Sequence, residues 1–352
     1  MKAFEAFVRQ WNLTPDDVFP VVDRFPFRIS EHFAGLIQFP GDAIWKQVVP
    51  DERELLDAGG WEDPLAEEGL SPVPNLVHRY PNRVLWLVSH ECPVHCRFCT
   101  RKRRWSDPIP LTEELFQAGL QYIESRSHIK DVLLSGGDPL FLPLSRLDAI
   151  LSALRAIPHV EIIRIGTRIP CTLPRLVTHR LAKTLARHHP LYVNVHFNHP
   201  RELTKEAREA CRRLASAGIP LGSQTVLLRG VNDELETVKE LLEGLLTLRV
   251  RPYYLMQMDL TKGTGHFRTP IATGLKLLAG LRNRISGLAI PHFVIDLPGG
   301  HGKVPLIPQQ VEGIEGEQLI LKSYRGQRVA YPLLEGESGE LAGMLKAVQR
   351  SP

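Results

Sequence analysis

Three of the chain's five cysteines fall within eight residues, Cys92-Pro-Val-His-Cys96-Arg-Phe-Cys99. A C-x3-C-x2-C turn brings three thiolates to one place, and iron-sulfur clusters are held by cysteine sulfur. Three thiolates bind three irons of a [4Fe-4S] cube. No fourth cysteine lies nearby, so the fourth iron stays open to a small chelating molecule, and such a cluster is catalytic rather than a plain electron carrier. Zinc is the alternative, with His95 or His90 as a fourth ligand, but zinc knuckles usually pair C-x2-C units or close with a spaced histidine. Unrelated core cysteines are the third reading.

The second unusual segment is Asp296-Leu-Pro-Gly-Gly-His-Gly-Lys303. Three glycines around one lysine make a low-bulk loop that brings an amine against a ring-shaped cofactor, and a desolvated lysine can bond to a carbonyl carbon. The phosphate-loop pattern G-x4-G-K-[ST] is not matched, and a structural loop is the competing reading. Basic residues flank the cysteines: Arg79, Arg83, Arg97, Arg101, Lys102, Arg103 and Arg104. Such a run reads as a solvated helix face or a nucleic-acid patch. Arg83 and Arg101 stand where a guanidinium can fork onto a carboxylate or phosphate.

Strands alternating with helices must position these residues. Runs 83–89, 131–134, 161–165, 191–197, 224–228 and 252–256 read as buried strands. Between them Leu147, Ile150, Leu151 and Leu154 recur at helical spacing, as do Leu235, Val238, Leu242 and Leu245, the latter helix opened by Asp233 as N-cap with Glu236 three residues on. Repeated units of this kind imply a parallel sheet, closed or nearly closed into a barrel. Its chemistry collects at the carboxyl ends of the strands. The cysteine loop follows the first strand, Ser135-Gly-Gly-Asp138 the second and Gly166-Thr-Arg168 the third, while His196 closes the fourth. Gly136 and Gly137 let a backbone approach a ligand, and Asp138 can accept from an ammonium group. Alone, that segment is only a turn.

At 352 residues the chain is long enough for one barrel with appended ends. With 43% hydrophobic and 23% charged residues, a large core is readily filled. A net charge of +4 makes no case for nucleic acid or membrane. Met1 to Asp17 lacks the apolar region of a secretory signal, and no apolar run is long enough to span a bilayer. The cysteine usage argues against a disulfide framework and for a reducing, cytoplasmic compartment. Cys171 and Cys211 read as packing residues.

The cysteine spacing resembles that of the radical S-adenosylmethionine (SAM) enzymes. Within them the chain is similar to the lysine 2,3-aminomutase family, which also uses pyridoxal phosphate (PLP). The resemblance runs from about His78 to Tyr324. It is carried by His78-Arg-Tyr-Pro-Asn-Arg83, the cysteine loop with Thr100-Arg101, Asp131-Val-Leu-Leu-Ser-Gly-Gly-Asp138, His196-Phe-Asn-His-Pro200, Gln224-Thr-Val-Leu-Leu-Arg-Gly-Val-Asn-Asp233, His266-Phe-Arg-Thr-Pro270 and Pro298-Gly-Gly-His-Gly-Lys303. It implies an α/β fold: a partial parallel (β/α)6-type barrel over 76–300, a mostly helical extension over 1–75, and a closing segment with the PLP lysine over 301–352.

The resemblance also implies roles. Cys92, Cys96 and Cys99 hold a [4Fe-4S] cluster whose open iron takes the amino and carboxylate groups of SAM. Gly136, Gly137, Asp138 and His196 serve SAM, Lys303 carries PLP, Arg79 and Arg83 hold its phosphate, and Gln224 lies near the cofactors. Arg101 takes the substrate carboxylate, and Asp259 and Asp296 take a distant ammonium, since a buried ion must be paired. The implied activity is an isomerisation that moves the α-amino group of L-lysine to the β-carbon, with flavodoxin or ferredoxin as electron donor. Other 2,3-aminomutases, acting on arginine, ornithine or a protein-bound lysine, are the near alternatives. An iron-sulfur RNA-binding or sensor protein is the alternative of a different class. The family's extra C-terminal zinc cysteines have no counterpart after Cys211, which leaves a homo-oligomer open.

Overall fold

The computed structural model describes residues 7, 10–11, 15–57, 59–307, 310–323, 326–339 and 341–343. Tyr324, where the family resemblance ends, and most of the first 14 residues lie outside this set.

Nine strands form one sheet in sequence order. β1 (Leu76–Tyr80) runs antiparallel to β2 (Arg83–Ser89). From β2 the sheet is parallel through β3 (Asp131–Gly136), β4 (Ile162–Thr167), β5 (Leu191–His196), β6 (Leu221–Leu227), β7 (Val250–Gln257) and β8 (His292–Leu297). β9 (Gly302–Pro305) returns antiparallel to β8. β2 to β7 are the strands expected from the sequence, each followed by a helix: Glu113–Glu124, Leu144–Arg155, His179–Ala186, Lys205–Ser216, Leu235–Thr247 and Ile271–Leu281. β8 is a seventh parallel strand that the apolar runs did not announce. A separate antiparallel sheet follows, formed by β10 (Val311–Glu315), β11 (Gln318–Lys322) and β12 (Arg328–Pro332).

Side-chain alternation explains the barrel. Along β6, Leu221, Ser223, Thr225 and Leu227 are buried while Gly222, Gln224 and Val226 are half-buried. Strand neighbours point to opposite faces, and Leu227 packs with Val238, Leu242 and Leu277 of the outer helices. The other face, with Gln224, therefore lines the barrel interior. On β2, Val84, Trp86 and Val88 go to the helices, with Trp86 stacked on Phe116 at 5.5 Å, and Arg83 goes inside. Cys171 and Cys211 are buried packing residues, as expected.

One cap differs from expectation. The helix Leu235–Thr247 starts from Glu234 with no side-chain cap. Asp233 instead accepts from the Gly230 N–H at 2.8 Å, closing the turn after β6.

Candidate active site

The chain's early helices hold the cysteine loop in place. Within and around it, Cys99 N–H donates to Cys96 O and Arg97 N–H to Gln47 O, both at 2.8 Å. Arg97 and Lys102 are buried and share Glu54, at 2.5 and 2.6 Å. A buried charge persists only when paired, so Glu54 clamps both flanks of the loop. The apolar side of the clamp is Phe98 against Phe267, edge to face at 6.2 Å, which gives the His266-Phe-Arg-Thr-Pro270 segment its task.

Cys92 and Cys99 line one cavity with Ser89, Arg101, Gly136 and Gly137. Burial above all pushes the Cys92 thiol well up and the Cys99 thiol to about 11, with neighbouring Asp138 and cysteine groups adding to it. Thiols in so dry a place ionise against metal cations, which fits a cluster. No group of His, Cys, Asp or Glu among the described residues converges tightly enough for a single metal ion. A cube, by contrast, spreads its thiolates over three irons. His95, the zinc alternative's ligand, stacks on Trp105 at 4.4 Å and engages Pro26 O through Nδ1.

The turn after β3 is built to dock on this loop. Gly137 N–H donates to Ser89 O and Asp138 N–H to Glu91 O, at 2.6 and 2.8 Å. A Cβ at Gly136 would lie 2.1 Å from Ser89 O and one at Gly137 2.2 Å from Glu91 O, so only glycine fits at either position. The Asp138 carboxylate accepts from Thr167 Oγ1, Leu140 N–H and Arg168 N–H. Burial raises its pKa to about 6 against these donors. It fastens the loops after β3 and β4 to one another. His196 and Gln224 are register partners on β5 and β6. Burial, then the Arg168 charge, lowers the His196 pKa to about 3, so its imidazole is neutral and its Nε2 pairs with Asn198 Oδ1 at 2.9 Å.

The glycine-rich segment is a hairpin rather than a loop throughout. Asp296 sits in β8 and Lys303 in β9 as register partners, and their side chains form an ion pair. Gly302 has φ of +91° and would place a Cβ 3.2 Å from the Tyr80 hydroxyl. That hydroxyl accepts from Lys303 N–H at 3.0 Å, tying β9 to β1 across the seam of the barrel. Arg79 of β1 donates to the other Asp296 oxygen at 2.8 Å, and its Nε is buried without a partner. Arg83 stacks over Tyr80 at 4.0 Å. Asp259, just past β7, shares a cavity of ≈ 140 Å³ with Asp296, Gln257 and Pro298. Burial, then the like charge of Asp296, raises the Asp259 pKa to about 7, while Lys303 opposes.

A strap across residues 61–68 joins these parts, and sequence reasoning missed it. Trp61 N–H donates to Leu260 O at 2.7 Å beside Asp259, and Pro64 O accepts from Gly299 N–H at 2.8 Å in the hairpin turn. Leu65 O accepts from Arg79 at 3.0 Å. Glu67 takes Arg101 through Nε and Nη2, at 2.9 and 2.6 Å, while Arg103 reaches Asp63 and Glu68 at 3.0 and 2.9 Å. The basic run is thus neutralised from within, which removes the feature that suggested a nucleic-acid patch. The signal in the sequence was the acidic set Asp63, Glu67 and Glu68 upstream of an equally dense cationic set.

A nearly closed parallel barrel with a three-cysteine loop at the carboxyl end of its first parallel strand defines a radical SAM protein, and residues 86–242 match the model of the Radical SAM superfamily. That class uses a [4Fe-4S] cluster and SAM. Residues 278–345 match the family model described as Lysine-2,3-aminomutase. The chain is 44% identical to L-lysine 2,3-aminomutase of Acetoanaerobium sticklandii, over 91% of this chain and 79% of that one. It is 46% identical to the enzyme of that name from Clostridium subterminale, over 86% and 74%. Glutamate 2,3-aminomutase of Clostridioides difficile is 39% identical, over 86% and 73%. The chain belongs to the lysine 2,3-aminomutase family.

Proposed function

We propose that this enzyme moves the α-amino group of L-lysine to the β-carbon, giving β-lysine, with PLP carried on Lys303. The observation that supports lysine is the pair of carboxylates, Asp259 and Asp296, on one small cavity beside the Lys303 hairpin. Asp296 is neutralised here by Lys303 and Arg79. Both are among the three cations, with Arg83, that the family resemblance assigns to PLP. Once they are engaged by PLP, both carboxylates are left to face a cation, and a glutamate side chain would be repelled.

The chain's own residues divide the remaining work. Cys92, Cys96 and Cys99 hold the cluster. Gly136, Gly137 and Asp138 serve SAM with neutral His196 beside them, and Gln224 on the adjacent strand serves PLP. Arg79, with its unpartnered Nε, and Arg83 take the PLP phosphate. Arg101, held along its Nε/Nη2 edge by Glu67 and reaching Gly136 O through Nη1 at 3.5 Å, takes the substrate carboxylate. Bound there, the cofactors supply a carbon radical and an electron-delocalising ring, and the barrel supplies alignment and keeps water out.

A low-potential electron donor of the flavodoxin or ferredoxin type, a cytoplasmic location and self-association complete the reading. The three-part division at 75/76 and 300/301 belongs to it as well. Anaerobic reconstitution with iron, sulfide, PLP, SAM and reductant should convert L-lysine to β-lysine. Recovery of lysine unchanged, while SAM is cleaved and PLP is bound, would contradict the reading.

A further inference from the structure

We infer that Arg168 governs how readily the cluster held by Cys92, Cys96 and Cys99 is reduced, by donating a guanidinium N–H to the sulfur of Cys96. The inference rests on the radical SAM class alone and not on the choice of substrate.

Arg168 follows β4, and its Nη1 lies 2.8 Å from Cys96 Sγ. The guanidinium cannot drift from that contact. Its Nη2 donates to Gln47 Oε1 at 2.5 Å and to Glu202 Oε1 at 3.1 Å. Its backbone N–H donates to Asp138 Oδ2 at 2.6 Å. The Phe33 and Phe98 rings lie 5.0 and 5.3 Å from the guanidinium carbon. The whole side chain is 8% exposed, and within it Nη1 is the nitrogen that meets the cysteine loop.

The anchors are themselves fixed. Glu202 is fully buried, and it accepts from Gln47 Nε2 at 2.8 Å and from Asn198 N–H at 2.7 Å. Arg168 is therefore a cation presented to one cluster ligand, with a carboxylate directly behind it.

The physical consequence has a sign. One-electron reduction adds negative charge to a cluster, and that charge is shared by its sulfurs. An N–H donor and a positive charge at a ligand sulfur stabilise the reduced form more than the oxidised one, so they raise the potential. In a water-poor site this influence is strong. Glu202 pulls the other way and moderates it. Arg168 is a positioning and tuning residue, since it acts through Cys96 and need not touch substrate.

The test is an electron paramagnetic resonance titration of anaerobically reconstituted holoenzyme, with dithionite as the one-electron donor and redox mediators present, alongside iron analysis. Arg168→Met should bind iron but reduce less readily, the reduced-to-oxidised ratio at the wild-type midpoint falling about tenfold, which is a shift of about 59 mV for one electron. Arg168→Lys, which keeps the charge and loses the fork, should fall between the two. Glu202→Gln should move the midpoint the opposite way. An unchanged midpoint in iron-replete Arg168→Met would overturn the inference. If that variant loses its iron, Arg168→Lys and Glu202→Gln decide, and midpoints equal to wild type in both would overturn it equally.

Discussion

Asp296 and Lys303 are cross-strand partners in the β8/β9 hairpin, and their side chains pair directly. Lys303 is thereby held at the mouth of the barrel on a strand, with its N–H tied to Tyr80 of the opposite edge. Asp259 shares a cavity with Asp296, and burial, then the like charge of Asp296, raises its pKa. The hairpin so leaves one carboxylate satisfied and the other in need of a cation.

Lys303 is expected to be the PLP-bearing residue. Borohydride reduction of the pigmented enzyme, followed by peptide mass spectrometry, should find the pyridoxyl group on the peptide containing Lys303. Its appearance on another lysine would remove the hairpin from the account.

Replacing Cys92, Cys96 or Cys99 by alanine should abolish reductive SAM cleavage and most bound iron, while PLP binding remains. The buried Cys171 serves as control, since Cys171→Ala should retain the cluster. A single-cysteine variant of the loop that cleaves SAM at the wild-type rate would refute the assignment.

The sequence disclosed the cysteine loop and β2 to β7 because their signals are local: a fixed spacing and runs of apolar residues. β8 was hidden because its apolar run is short, flanked by His292 and Asp296, and Asp296 read as part of a loop when it lies within the strand. The Glu67–Arg101 and Glu54–Arg97 pairs join residues 34 and 43 positions apart. No periodicity reports such pairings. Arg168 was placed in the loop after the third strand, but its contacts gave no signal, for its partners Gln47, Cys96 and Glu202 converge only once the barrel is folded.

Glu54 should be important for stability. It is fully buried between Arg97 and Lys102, and Glu54→Ala would leave two uncompensated buried cations, a loss of about 3–5 kcal/mol. Denaturant unfolding of the metal-free protein measures it. A loss below about 1 kcal/mol, the range of an exposed pair, would contradict the clamp.

The pH dependence follows from Asp259. A bound ammonium favours its ionised form, so its pKa is lower in the complex than the value of about 7 in the free enzyme. The contribution to binding is then fully present only well above pH 7 and is lost as pH falls through that value. The KM for lysine should rise on the acid side by up to about tenfold per pH unit, each tenfold being about 1.4 kcal/mol. Asp259→Asn should abolish that limb, and an acid limb that survives the substitution would point to another group.

Asp259→Asn and Asp296→Asn should each weaken lysine turnover by at least about tenfold, since each loses a charge-assisted contact of about 1.5–3 kcal/mol. Discrimination against neutral amino acids of similar length should fall in parallel. Equal losses for lysine and for a neutral analogue would assign the two aspartates a structural role only.

The most direct measurement is a competition. Reconstituted wild-type enzyme, given L-lysine, L-arginine, L-ornithine and L-glutamate together at equal concentration, should yield β-lysine as the dominant product. A predominance of β-glutamate or of the arginine product would leave the amino migration intact and contradict the pairing of Asp259 and Asp296 with the ammonium group of lysine.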